Sequence, residues 1–189
     1  MPDSHEAVLG IDLGTSQLKA LVAGPGGAVL GRGRAACQVS APADGHAESD
    51  PGDWWHAARE AVRAALAEAR ADAGTGAGPA IVAVGITGQM HGVVLAEADA
   101  TPLRPAIVWL DRRAAAEAAR YARLPRDAVE RLGNAPSPGM AGPVLAWLTA
   151  SEPAAVRAAT WQLQPKDWLR MRLTGRAATD PTDASGTLL

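Results

Sequence analysis

Apolar residues fall into two rhythms along this chain of 189 residues. Residues 8–12, 18–23 and 28–36 carry short apolar runs broken by turn formers, which predicts three strands in an antiparallel meander. Gly24-Pro25-Gly26-Gly27 marks a turn within it, while Gly31 and Gly33 weaken the third strand. Residues 40–52 hold turn formers without periodicity and read as a loop, ending at Asp50-Pro51 as N-cap and first helical residue. From about Asp53 to Ala73 the apolar positions recur at three and four (Trp54, Ala58, Ala61, Val62, Ala65, Leu66, Ala69), which predicts an amphipathic helix. Arg59, Glu60, Arg63, Glu68 and Arg70 form its wet face, and Gly74 to Pro79 stops it.

Residues 80–86 are a continuous apolar run, which suits a central strand buried on both faces. A further strand is expected at Ala106–Leu110, running into a helix at about Ala114–Ala122. Residues 132–143 read as a long loop. Helices are then expected near Val144–Thr149 and Pro153–Ala159, a strand at Trp161–Leu163, and a helix opened by Pro165 and closed by Thr174-Gly175. Three strands, a helix and a buried strand is the order of a ribonuclease H-like unit, the α/β fold of actin-like ATPases and many sugar kinases. The expected architecture is a mixed sheet flanked by helices.

Composition narrows the classes. The chain contains no Phe, one Tyr and six Trp, so Ala, Leu and Val must supply most of the core. A net charge of −2 gives no case for nucleic acid or an anionic membrane as partner. Cys37 is the only cysteine, which excludes an internal disulfide and reads as a small buried hydrophobe. No apolar run approaches a membrane span, and the first residues lack the pattern of a signal peptide. A cytoplasmic protein is the expectation.

Two stretches carry candidate chemistry. In Val8–Ser16 a strand ends in Asp12, followed by Gly14, Thr15 and Ser16. The glycine permits a tight turn, the hydroxyls and amides suit an anion, and Asp12 suits Mg²⁺ held through water. An ordinary strand end is the bland alternative. At the carboxyl end of the 80–86 strand, Gln89, Met90 and His91 lie between Gly88 and Gly92, where open α/β sheets gather ligands. An amide, a thioether and an imidazole there suit a polyol or a carbonyl sugar, and a polar turn is the alternative. Trp109 suits either a core position or the apolar face of a sugar. Asp111 suits the N-cap of the helix that follows. Lys166, in a helical first turn, reads as solvated.

Five separated stretches then resemble, in order, the motifs of the FGGY carbohydrate kinases: Ile11-Asp12-Leu13-Gly14-Thr15-Ser16, Gly88-Gln89-Met90-His91-Gly92, Trp109-Leu110-Asp111-Arg112-Arg113, Pro165-Lys166-Asp167-Trp168-Leu169-Arg170, and Thr179-Asp180 through Asp183-Ala184-Ser185-Gly186-Thr187. His46, Glu48, Asp50-Pro51 and Trp54-Trp55 are also similar to this family, whose xylulokinase branch matches best. The resemblance implies transfer of the ATP γ-phosphoryl group to a sugar hydroxyl with Mg²⁺, in xylulokinases the 5-OH of D-xylulose. It implies Asp12 near metal and phosphates as the catalytic carboxylate of this chain. Gly14, Thr15 and Ser16 would lie on the phosphate side, and Gln89, Met90, His91, Trp109 and Asp111 on the substrate side. Glycerol kinases carry Arg-Glu where this chain has Met90-His91. Asp180 and Asp183 match a structural turn or helix cap. The family's general-base aspartate and ATP-binding domain lie beyond the matched region. The expectation is therefore an N-terminal sugar-binding lobe, inactive alone, without its C-terminal lobe. Surface that would face that lobe makes self-association, as a homodimer, an expectation.

Overall fold

The computed structural model describes residues 6–72, 78–121 and 123–189. In chain order the elements are β1 (Glu6–Leu13), β2 (Gln17–Ala23), β3 (Val29–Ala36), β4 (Glu48–Ser49), α1 (Pro51–Asp72), β5 (Ala80–Gly88), β6 (Val94–Ala96) and β7 (Ala106–Ile107). Then follow α2 (Ala115–Tyr121), α3 (Arg126–Leu132), α4 (Ala141–Ser151), α5 (Pro153–Ala158), β8 (Trp161–Leu163), α6 (Pro165–Thr174) and α7 (Pro181–Ser185). The helix stop expected at Gly74–Ala77 and the helix end expected at Ala122 lie outside the described residues. The chain forms two compact units, Met1–Gln38 with Gly52–Gly88, and Val39–Pro51 with Gln89–Leu189.

In the first unit the meander forms as expected, with strand order β3-β2-β1-β5, antiparallel except for the parallel pair β1 and β5. Alternation sends Ala7, Leu9, Ile11 and Leu13 of β1, and Leu18, Ala20 and Val22 of β2, to a buried face. Trp54, Ala57, Ala58, Ala61, Ala65 and Ala69 of α1 are likewise buried. The glycines of β3 explain how the helix seats. A β-carbon on Gly31 would collide with the Ala65 carbonyl, and one on Gly33 with the Ala61 carbonyl. These glycines weaken the strand by propensity, yet they are what lets the α1 backbone lie directly on it. Glu68 of α1 accepts a hydrogen bond from the Arg32 N–H at 3.1 Å, covering part of that sheet edge.

The expectation for residues 80–86 requires correction. Its apolar run does form β5, but as an edge strand whose one sheet partner among the described residues is β1. Val82 and Val84 are 57% and 52% exposed. Continuous hydrophobicity records what a strand is suited to bury, and nothing among the described residues covers this one.

In the second unit Val93, Leu95, Ile107, Ala114, Ala141, Val144 and Leu148 form the core. Two short antiparallel pairs frame it, β4 with β7 and β6 with β8. The expected loop at 40–52 thus contributes a strand, and α3 adds a helix that periodicity did not mark. Trp168 anchors α6, its buried indole N–H donating to the Ala100 carbonyl at 2.8 Å. Gly175 ends α6 in the left-handed conformation that favours glycine.

Candidate functional site

Asp12 lies near the carboxyl end of β1, paired in register with Lys19 on β2 and Thr87 on β5. Its carboxylate is 3.7 Å from the Lys19 ammonium, and both side chains are substantially exposed, so the pair adds little stability and both remain open to a ligand. A cavity of about 920 Å³ opens on this part of the first unit. Gly10 and Gly85 are among its lining residues, and Asp12, Lys19, Arg32, Arg34 and Thr87 supply charge and hydroxyl. Most of the lining surface is apolar, Ile11, Leu21 and Ile86 among it, and its charged groups are three cations and one carboxylate. Gly14 is dictated by the turn that follows, because a β-carbon there would lie 2.7 Å from the Gln17 carbonyl oxygen. Thr15 is half-buried and Ser16 exposed, the Ser16 carbonyl accepting from the Cys37 N–H at 3.0 Å. Burial pushes the Cys37 thiol up, consistent with an inert apolar role.

The second group of candidates gathers in the second unit. His91 has φ +57°, a left-handed conformation uncommon outside glycine, and Gly92 follows at +79°. This double reversal is locked from two sides. The Gly92 N–H donates to the Gly139 carbonyl at 3.2 Å, and Gly139 lies so close to the Trp109 backbone that no β-carbon would fit. The His91 ring donates to the Gly186 carbonyl just after α7, and a β-carbon on Gly186 would stand 3.2 Å from the ring. Strain held by surrounding contacts is typical of ligand-binding loops. Burial lowers the His91 pKa below the ordinary 6.5, the Gly186 carbonyl and the Asp183 charge opposing it only in part. An imidazole in its neutral form that donates from one nitrogen to Gly186 keeps the other as an acceptor.

Met90, next to His91 in the chain, is 56% exposed, and Trp109, whose backbone packs on Gly139, is 38% exposed. Gln89 is buried, and neither its amide oxygen nor its nitrogen has a hydrogen-bond partner among the described residues. A buried amide without partners is costly, and a ligand that satisfies it gains accordingly.

Asp111 is different. Its buried carboxylate accepts from the Ala47 N–H at 2.6 Å, from the Arg113 N–H at 2.9 Å and from the Arg113 guanidinium at 2.8–3.0 Å. Arg113 also reaches Glu48 at 2.7 Å, Glu48 pairs with Arg104 at 2.5 Å, and Arg104 pairs with Glu152 at 2.9 Å. The expected substrate contact at Asp111 gives way to a framework role, because both oxygens are engaged and the residue is closed to solvent.

Lys166 also departs from expectation. It is buried, 2.6 Å from Asp167, 2.7 Å from Asp180 and 3.2 Å from Asp183. Burial works to lower its pKa, but the hydrogen bonds and charges of these carboxylates outweigh it and the net shift is upward. Asp180 is a helix cap, as expected, accepting from the Thr182 and Asp183 N–H groups at 2.9 and 3.1 Å. Its bond from Lys166, with the Asp183 N–H, holds its carboxyl at about 2. The folded value lies below the unfolded one of about 3.9, so this contact contributes fully above that value and is lost as pH falls toward about 2. We expect the Thr182 and Asp183 amide resonances to hold constant from neutral pH down to about 4 and to move only below it. A transition centred above pH ~4.5 in a two-dimensional NMR titration would contradict this. Sequence reasoning missed Lys166, Gly139 and Gly186 as parts of this site. No local spacing marked them, because the partners of each lie in separate elements.

A sequence model described as the FGGY family of carbohydrate kinases, N-terminal domain, matches residues 7–189. Xylulose kinase of Escherichia coli is 39% identical over 181 residues, covering 95% of this chain and 36% of that protein. Xylulose kinase of Streptomyces coelicolor is 40% identical over 184 residues, with the same shares of the two chains. A crystal structure described as a xyloylose kinase from Brucella ovis superposes with a TM-score of 0.87 at 36% identity, covering 96% of this chain and 36% of that one. The chain thus spans 36% of the length of these curated relatives. The α/β organisation and these neighbours agree with the expected actin-like ATPase fold. This chain belongs to the FGGY family of carbohydrate kinases and corresponds to their N-terminal domain.

Proposed function

We propose that this chain is the sugar-binding lobe of an ATP-dependent kinase that phosphorylates a ketopentose, converting D-xylulose to D-xylulose 5-phosphate. The observation that carries the reading is the Gln89–His91 loop, with a buried amide lacking partners among the described residues, an imidazole whose pKa burial lowers, and Met90 beside them. Such a set suits several hydroxyls and one carbonyl on a sugar with an apolar edge, and Trp109 offers a second apolar face. The xylulose kinases among the relatives support the ketopentose over glycerol. Asp111 contributes to this reading only by supporting the framework.

Asp12 is exposed enough to hold Mg²⁺ through water, and Lys19, Arg32 and Arg34 in the lining of a largely apolar cavity supply charge for the polyphosphate of ATP. A bound ion there would offset the negative charge of the phosphoryl oxygens. Gly14, Thr15 and Ser16 present backbone N–H groups and hydroxyls on the same turn. No carboxylate of this chain matches the family's general base, and phosphoryl transfer depends on positioning by two lobes. The chain therefore binds sugar without turning it over.

We expect a coupled assay with ATP, Mg²⁺ and D-xylulose to show no appreciable ADP release by the purified chain. Calorimetry should show D-xylulose binding, weakened about tenfold or more by His91→Ala, or ~1.4 kcal/mol. Turnover at the rate of an intact kinase would overturn the first expectation, and equal affinity of the two proteins the second. A second reading, a non-catalytic sugar-binding module, is favoured by Gln89, Met90 and His91 all lying in the second unit, whereas Asp12 lies in the first. That module would bind D-xylulose unchanged by Asp12→Ala. Ribulose, gluconate and glycerol as ligands in the same calorimetry separate other kinases of this family.

A further inference from the structure

The helix α7 is five residues long and contributes no buried side chain. Apolar packing does not fix it, yet the carbonyl of Gly186, its C-cap residue, is what the His91 ring donates to. Polar contacts hold this segment instead. Lys166 reaches Asp180 at its start and Asp183 within it, while Gln164 donates to the Asp183 carbonyl at 2.8 Å. Asn134 donates to the Ser185 carbonyl and the Gly142 N–H to the Thr187 carbonyl, each at 2.7 Å.

Lys166 is the one cation within this set. Asp167, Asp180 and Asp183 bring carboxylate oxygens within 4.8 Å of one another, an arrangement that repels itself unless a cation lies among them. The ammonium neutralises that repulsion and bridges α6, through Asp167, to both ends of the first turn of α7. Gly186 lies close against the His91 ring, so a displacement of α7 moves the carbonyl on which the ring depends.

We propose that Lys166 is a positioning residue of the sugar site, clamping α7 to α6 through three carboxylates and thereby fixing the His91 imidazole against the Gly186 carbonyl. The inference rests on the reading of His91 as a sugar contact, but the clamp has its own readout. It assigns Lys166 no contact with substrate. Its effect is on the orientation of a ring whose free nitrogen must meet a sugar hydroxyl, and small displacements at such a site cost large factors.

The test is NMR on the 189-residue chain with ¹⁵N-labelled histidine, together with D-xylulose calorimetry. In the wild type the His91 ring N–H should be protected from solvent exchange by Gly186. Lys166→Met should abolish that protection and weaken D-xylulose binding tenfold or more, with unchanged far-ultraviolet circular dichroism. Lys166→Arg, which keeps the charge, should restore protection and bring binding within about threefold of wild type. A protected His91 ring in Lys166→Met overturns the proposal. Asp180→Asn covers the case in which Lys166→Met fails to fold. It keeps the cap oxygen, removes one of the clamp's charges, and should raise ring exchange at least threefold, whereas wild-type exchange overturns the clamp. If the wild type does not bind D-xylulose at all, the functional reading fails while the exchange data still decide the clamp.

Discussion

Arg113→Met should lower the stability of the second unit by about 3–5 kcal/mol, the cost of leaving buried charges without their partner. The Arg113 side chain is almost fully enclosed, with Asp111 on one side and Glu48 on the other. Its guanidinium also stands 5.1 Å from the Trp147 ring centroid, with His46 edge-on to the same ring at 6.4 Å. Removing it leaves the Asp111 carboxylate with only backbone N–H partners and Glu48 with Arg104 alone. The network also ties the 45–48 segment to the rest of its unit, through Ala47 on Asp111 and Glu48 on Arg113. Urea denaturation followed by tryptophan fluorescence should show a clear fall in midpoint. The neighbouring Arg112→Met provides the control, because that side chain is exposed and its loss should stay within ~0.5 kcal/mol. Equal effects of the two substitutions would sink the assignment of Asp111 and Arg113 to the framework.

Gly33→Val should be nearly as damaging, at about 3 kcal/mol, through overpacking between β3 and α1. The added carbons meet the backbone carbonyl of Ala61, which cannot swing aside as a side-chain end could, so the helix must lift from the sheet. Gly85→Val is the matching control. A β-carbon at Gly85 meets nothing within 4 Å, and valine suits a strand better than glycine does. Thermal unfolding by circular dichroism should show a large drop in Tm for the first variant and little change for the second. A mild effect at Gly33 would mean that the close seating of α1 is not needed.

These two cases show where local pattern and three-dimensional arrangement part. Gly33 counts against its strand by propensity, and only the position of Ala61 reveals why a larger residue is excluded. Asp111 carries the same carboxylate whether it caps a helix, meets a sugar or braces Arg113. The choice depends on Ala47, which is far away in sequence. Lys166 reads as solvated because lysines in helical first turns usually are, and its burial depends on Asp180 and Asp183 meeting it from a later segment.

Read from the residue order alone, the meander, the long alanine-striped helix and α6 with its glycine stop were legible, because each rests on periodicity or on chemistry within a few residues, while the Asp180 cap came with the resemblance. The motifs at Asp12 and at Gln89–His91 were legible for the same reason, being short and continuous. Tertiary structure alone decided that β5 is an exposed edge, since burial belongs to the partners of a strand and not to its own hydrophobicity. It alone decided that His91 leans on Gly186 and that Lys166 lies among three carboxylates, since contacts between separate elements leave no local periodicity. Asp12 and His91 were candidates on the sequence alone, while the supports that hold the second of them in place needed the fold.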